Sequence, residues 1–253
     1  MDMTQLHSLI SDDHPVISRD SRKNRPYHKL FAQTANEIYS TILPIAMQCE
    51  SILDVGCNIG AAIVFLRQAG WKGSYIGTDL QQGFIDIAKS ISPNEEFIAA
   101  DCFEVLSKNT KQFDLVICLG VAHVFVEPFS LFSAVAKASK KFVILDAKDV
   151  HSDIDGNPLV AQSQFTLISS HSGCPLATGD TESFSDTRGL GCSITPDFVE
   201  LFMHTQGFGK EDLDTSLLQT GVYAPLPRPY RIMQCFSINQ DCSKFVTLQN
   251  TFK

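Results

Sequence analysis

Apolar residues in this chain gather in short runs that close on an acid or a small residue. Longer stretches between them repeat apolar positions every three or four residues. Ser51–Val55, Tyr75–Leu80, Phe97–Cys102, Phe113–Gly120 and Phe142–Asp146 have the length and content of buried strands. Ala61–Leu66 follows the first run with a helical pattern, and Ala35, Ile38, Ile42 and Ile45 place a helix over Thr34–Met47. Strands alternating with helices over residues 51–147 predict an α/β domain, a mostly parallel sheet with helices on both faces.

The rhythm breaks at residues 148–195, a stretch rich in Ser, Asp, Gly and His with no period of its own. Unpatterned segments this long in compact domains usually cover a site, and this one leaves the fifth strand at the carboxyl edge, so a cap is expected there. Thr195-Pro196 then reads as a helix start, with Phe198, Leu201 and Phe202 at helical spacing. Two closing strands are expected near Leu213–Leu218 and Arg231–Ile238. Residues 1–33 show no core periodicity and carry a basic run, Arg19 to Arg25, followed by Pro26-Tyr27-His28-Lys29. The expected organisation is an N-terminal arm (1–33) and one domain (34–253) with the cap inserted at 148–195.

The candidate chemistry lies at the strand ends. Asp54-Val55-Gly56-Cys57-Asn58-Ile59-Gly60 is a glycine-bounded turn between a strand and a helix, the arrangement that brings backbone up to a ligand at a helix N-terminus. The dinucleotide fingerprint GxGxxG is missing, which counts against a nicotinamide-dependent oxidoreductase. Asp79, 23 residues past Gly56, stands where a carboxylate grips a ribose diol. Asp101 closes the third run, and either belongs to the same edge or only caps the helix after it.

Composition narrows the class. The 253 residues are 44% hydrophobic and 19% charged, enough for a full core. A net charge of −8 argues against a large nucleic-acid footprint and for a small acceptor. The eight cysteines form no CxxC pair or zinc spacing, and read as small buried fillers in a reducing compartment. No basic-apolar leader and no run of membrane-span length is visible, so a cytoplasmic location is expected.

Asp54-x-Gly56-x-x-x-Gly60, Asp79, Asp101-Cys102 and Phe113–Gly120 together resemble the class I S-adenosylmethionine-dependent methyltransferases over residues 50–147. The resemblance implies a Rossmann-like, seven-stranded sheet whose last strand is antiparallel, with S-adenosyl-L-methionine as cofactor. It implies donor contacts from Asp54, Gly56, Cys57, Gly60, Asp79, Leu80, Asp101, Cys102 and Cys118, with the methionine moiety along Gly56–Gly60, the ribose at Asp79 and the adenine at Asp101-Cys102. Asn58 stands where the family usually has glycine, and asparagine is among the least penalised replacements at a left-handed position.

Gly120-Val121-x-His123, with Pro128, is similar to the subgroup of wobble-uridine tRNA carboxymethyltransferases and polysaccharide-end methyltransferases, and Leu226-Pro227-Arg228-Pro229 to the latter. His123 follows the fourth strand, where the acceptor meets the donor methyl, and is the candidate general base; the alternative is a histidine that only orders its loop. Arg25, Tyr27, His28 and Lys29 are candidates for a lid over donor and acceptor, against the plainer reading of a solvated basic stretch. His171 and His204 are weaker candidates. The expected reaction is methyl transfer to an oxygen of a small-molecule or glycan-type acceptor. The alternatives are N-methylation of a cationic metabolite, tRNA modification, or a non-catalytic module that keeps the fold.

Overall fold

The computed structural model describes residues 27–110, 112–122, 125, 128–148, 165–170, 189–194, 196–218 and 231–239. Seven strands form one sheet: β1 (Ser51–Val55), β2 (Ser74–Asp79), β3 (Glu96–Ala99), β4 (Phe113–Cys118), β5 (Ser139–Lys148), β8 (Phe208–Glu211) and β9 (Arg231–Ile238). Their order is β3-β2-β1-β4-β5-β9-β8. The first five are parallel, and β9 runs antiparallel to both β5 and β8. This is the Rossmann-like sheet expected above, with its reversed last strand.

Helices link the parallel strands: α1 (Tyr27–Ala46) ahead of β1, α2 (Ala61–Gln68), α3 (Gln82–Ile91), α4 (Cys102–Lys108), α5 (Phe129–Ala138) and, before β8, α6 (Pro196–Thr205). Successive strand residues point to opposite faces, so each central strand feeds two cores. Ile52, Leu115, Ile117 and Ile144 pack with Ile42 of α1, Ile63 of α2 and Ile85 of α3. Leu53, Val55, Val116, Val143 and Leu145 pack with Leu106 of α4, Phe132 of α5 and Val199 of α6. Burial on both faces explains why these strands read as continuous apolar runs.

The amino-terminal edge of the sheet is closed by polar ties. Asp114 Oδ2 accepts from Glu50 N–H at 2.8 Å and faces Lys141 Nζ at 3.4 Å, while Asp114 N–H donates to Ser51 Oγ at 2.9 Å. Arg67, at the end of α2, donates from Nε and one terminal nitrogen to both oxygens of Glu95 (2.7 and 2.9 Å). It also reaches the carbonyls of Trp71 and Gly73 (3.0 and 2.9 Å) and lies over the Trp71 ring at 4.9 Å. One guanidinium thus fastens α2, the turn into β2 and the approach to β3.

Three expectations shift. The first helix begins at Tyr27, not Thr34, because Phe31 continues the spacing of Ala35, Ile38 and Ile42 with no glycine or proline until Pro44. The stretch 148–195 contains an antiparallel pair, β6 (Phe165–Ser170) with β7 (Gly189–Ile194), which its composition did not signal. The strand expected near Leu213–Leu218 lies earlier, at Phe208–Glu211. Gly207, at φ +87°, ends α6 and turns the chain straight into β8. Leu218 is buried and Leu213 packs on the core from a loop, so their apolar character reflects burial rather than a strand. Among the described residues, no helix is long and apolar enough to cross a membrane.

Candidate active site

Strand register brings the candidate acids to one edge. Val55 lies opposite Thr78 and Cys118, Cys118 opposite Leu145, and Asp79 opposite Ala99. The residues that follow, Gly56, Leu80, Asp101, Gly120 and Asp146, therefore crowd the carboxyl edge, where open parallel sheets bind ligands.

The turn after β1 is held by β2. Gly56 N–H and Cys57 N–H both donate to Thr78 O, at 2.8 and 2.9 Å, and Gly60 N–H closes on Cys57 O at 2.9 Å. Gly56, Asn58 and Gly60 have φ of +77°, +52° and +76°. Asn58 thus takes the left-handed geometry expected of it, with its Oδ1 accepting Ile59 N–H at 2.8 Å. The glycines also answer a packing demand. A Cβ on Gly56 would stand 2.4 Å from Val121 Cγ2, and one on Gly60 would stand 2.9 Å from the Phe97 ring. The loop after β4 therefore rests directly on the loop after β1. Gly60, left-handed and without a side-chain cap, opens α2 toward the same edge.

Asp79 accepts Asn58 N–H on Oδ2 (3.1 Å) and Gln81 N–H on Oδ1 (2.9 Å). A carboxylate offers about four lone-pair directions, and the backbone N–H groups of Gln81, Asn58 and Leu80 all bear on this one, so at least one direction is left for a further donor. Burial raises the Asp79 pKa, opposed by the backbone bonds from Gln81, Asn58 and Leu80. Leu80 is exposed beside it. Asp101 is the N-cap of α4, its Oδ1 accepting Phe103 N–H at 2.8 Å, so the capping role is real and leaves its second oxygen outside that bond. Cys102, half-buried, begins the same helix, and burial pushes its thiol up to about 11.

Asp54 is 6% exposed and accepts the Tyr75 hydroxyl at 2.7 Å. Burial drives its pKa up to about 7 against the pull of that hydrogen bond, with the Asp79 charge adding to the rise. The thiols of Cys57 and Cys118 are pushed above their usual range, chiefly by burial. The Cys118 side chain is fully enclosed in the core, so what β4 offers the edge there is backbone. Cys49 and Cys235 are buried and free as well, so these four thiols are protonated fillers.

Three residues escaped the sequence reading as site groups. Tyr75 was visible only as a strand residue, and its reach to Asp54 depends on register. Val121 gave no signal. Asp146 did, since it ends the fifth run as Asp54 ends the first; it is buried, and its Oδ1 accepts Gly120 N–H at 2.9 Å, with Gly120 at φ +71°. His123, Arg25 and His171 lie outside the described residues, as do the side chains of Tyr27, His28 and Lys29. His204 sits on the outer part of α6 and is exposed.

Residues 52–142, the span that carries this edge, match the family model of the methyltransferase domain. Over those residues the chain carries an S-adenosylmethionine-dependent methyltransferase domain. The match favours no subgroup within the class. No curated protein matches the chain. Among solved structures, it is similar to the magnesium protoporphyrin IX methyltransferase of Synechocystis with bound S-adenosylmethionine (14% identity, 94% of this chain, 97% of that one, TM-score 0.56). It is similar also to a putative S-adenosylmethionine-dependent methyltransferase of Listeria monocytogenes (16%, 83%, 100%, TM-score 0.56). A third is the 1,6-didemethyltoxoflavin-N1-methyltransferase of Burkholderia thailandensis (12%, 94%, 88%, TM-score 0.57). At these identities the likeness is one of fold. The residues present fit S-adenosylmethionine: an acid at the second strand end with a lone pair left for a ligand hydroxyl, a second, buried acid, and an uncapped helix start between them.

Proposed function

We propose that this methyltransferase acts on an oxygen of a small-molecule or glycan-type acceptor, with His123 as general base. When bound, S-adenosylmethionine supplies a methyl group made electrophilic by its sulfonium. In this reading Asp79 receives the ribose hydroxyls, Gly56, Cys57 and Gly60 line the methionine moiety, and Asp54 meets its ammonium. Asp101, Cys102 and Leu80 border the adenine, and Cys118 backs the site through its backbone. The observation that carries the acceptor side is the seat of Val121 on Gly56. It supports a segment after β4 that starts against the donor loop, and His123 is two residues further on.

Attack on a methyl carbon depends mainly on alignment and exclusion of water, and a base is needed where a hydroxyl proton must leave. Asp146, by holding Gly120 N–H, fixes the direction in which that segment sets out. Residues 148–195 and the N-terminal arm, with Arg25, Tyr27, His28 and Lys29, serve as cover. The buried free cysteines support a reducing, cytoplasmic setting. The net charge of −8 and the similarity of Leu226-Pro227-Arg228-Pro229 to the polysaccharide-end methyltransferases support a glycan-type acceptor over a tRNA.

The test is a panel of hydroxyl and amine acceptors with labelled S-adenosylmethionine, using parent protein and His123→Ala. General-base assistance contributes about a hundredfold to ten-thousandfold. Turnover should fall by that order while S-adenosylhomocysteine affinity holds. Label recovered on nitrogen, or turnover within a few-fold of the parent, would move the reading to an amine acceptor.

A further inference from the structure

We propose that Tyr75 is a positioning residue of the donor site, its hydroxyl holding Asp54 as the oriented carboxylate that receives the cationic end of the methyl donor. This rests on the reading above that Asp54 meets the donor ammonium.

The geometry is specific. Tyr75 stands opposite Ile52 in the β1–β2 register, and Asp54 is two residues further along β1. Alternate residues share a face, so the Tyr75 ring lies on the Asp54 side and its hydroxyl reaches Oδ2 at 2.7 Å. Edge-on contact with Phe97, at 5.9 Å between centroids, fixes the ring. Tyr75 is 3% exposed, so phenylalanine would fill the same space. The hydroxyl is therefore superfluous to packing, and its bond goes to Asp54.

The surroundings explain why that bond matters. The groups facing Asp54 are Tyr75 and Asp79 of β2, Cys57 of the glycine turn, Tyr39 of α1 and Cys118 of β4. None is a cation. Burial and the neighbouring acid push the two phenols above their usual range, so Tyr75 stays a proton donor at every working pH. Its hydrogen bond lowers the Asp54 pKa against burial, which raises it to about 7. A cationic ligand group binds the ionised acid. Affinity is then complete above the Asp54 pKa of the free protein and declines as pH falls through it.

Titration of S-adenosylhomocysteine by calorimetry across neutral pH separates two limbs. The acid limb belongs to Asp54, near pH 7. The alkaline limb belongs to the ligand's own α-amino group, whose neighbouring carboxylate keeps it charged above the range of a peptide's terminal amine. A hydrogen bond to a charged group is worth roughly one pKa unit or more. Tyr75→Phe should therefore move the acid limb up by about one pH unit and weaken binding at pH 7 about fivefold, leaving the alkaline limb in place. Asp54→Asn should abolish the acid limb in either background. Equal loss at every pH, or an Asp54-dependent acid limb unmoved by Tyr75→Phe, would overturn the role of Tyr75 alone. An acid limb that survives Asp54→Asn would overturn the placement of the donor ammonium, and the proposal with it.

Discussion

Replacing Gly56 by alanine tests the packing of the β4 loop on the donor loop. Two costs add at this position. An L-residue in left-handed backbone, here φ +77°, costs roughly 1–2 kcal/mol. The new Cβ would stand 2.4 Å from Val121 Cγ2, where carbon atoms prefer about 3.5–4.0 Å, so the loops must part by about 1 Å. Overpacking of that kind costs about 1–3 kcal/mol. The sum, about 2–5 kcal/mol, corresponds to a fall in Tm of roughly 5–15 °C for a domain of this size.

Two controls divide the sum. Gly70 has φ +91° with nothing within 4 Å of an added Cβ, so Gly70→Ala should show the backbone cost alone. In Gly56→Ala/Val121→Ala the offending methyl is gone, and the next nearest atom, Val121 Cβ, lies at an ordinary 3.9 Å. The double variant should therefore be more stable than the sum of the single losses by about 1–3 kcal/mol. Urea and thermal unfolding measure the stabilities, and S-adenosylhomocysteine titration shows whether the donor loop returns to its shape. Additive losses in the double variant would refute the contact, and with it the main support for an acceptor segment seated on the donor loop.

Two further outcomes follow from the same edge. Asp79→Ala removes the acceptor of Asn58 N–H and Gln81 N–H as well as that of a ligand diol; with about 1–3 kcal/mol per orphaned partner, S-adenosylhomocysteine affinity should drop at least tenfold. Unchanged affinity by calorimetry would remove Asp79 from the donor site. Asp101→Asn should keep the α4 cap and its stability, since asparagine caps as well as aspartate, whereas Asp101→Ala should lose about 1 kcal/mol in urea unfolding. If the second carboxylate oxygen also meets the adenine, Asp101→Asn should weaken donor binding in titration without lowering stability, and undiminished binding would leave only the cap.

The parallel half of the fold was legible because both faces of β1, β2, β4 and β5 are buried, which writes each strand as an apolar run ending where the sheet ends. The acids at those ends, Asp54, Asp79 and Asp101, were legible for the same reason. Register was not, so neither the reach of Tyr75 to Asp54 nor the seat of Val121 on Gly56 could be anticipated: both join residues distant in sequence through strand alignment. β8 was misplaced because Leu213 and Leu218 are buried from a loop, and loop burial leaves the same apolar mark as a short edge strand. β6 and β7 pair with each other outside the main sheet, and their short alternations, Phe165 with Leu167 and Leu190 with Cys192 and Ile194, are submerged in the polar stretch around them.

The guanidinium fork of Arg67 lies at the opposite end of the strands from the donor loop. Five residues of β1 at about 3.3 Å each put roughly 17 Å between the two edges. Energetic effects at such separations usually add, within a few tenths of a kcal/mol. Mechanical integrity and chemical selectivity are thus assigned to different ends of one set of strands. A designer could harden the Arg67–Glu95 end and reshape the acceptor end in separate campaigns, then combine the products with little interference between them.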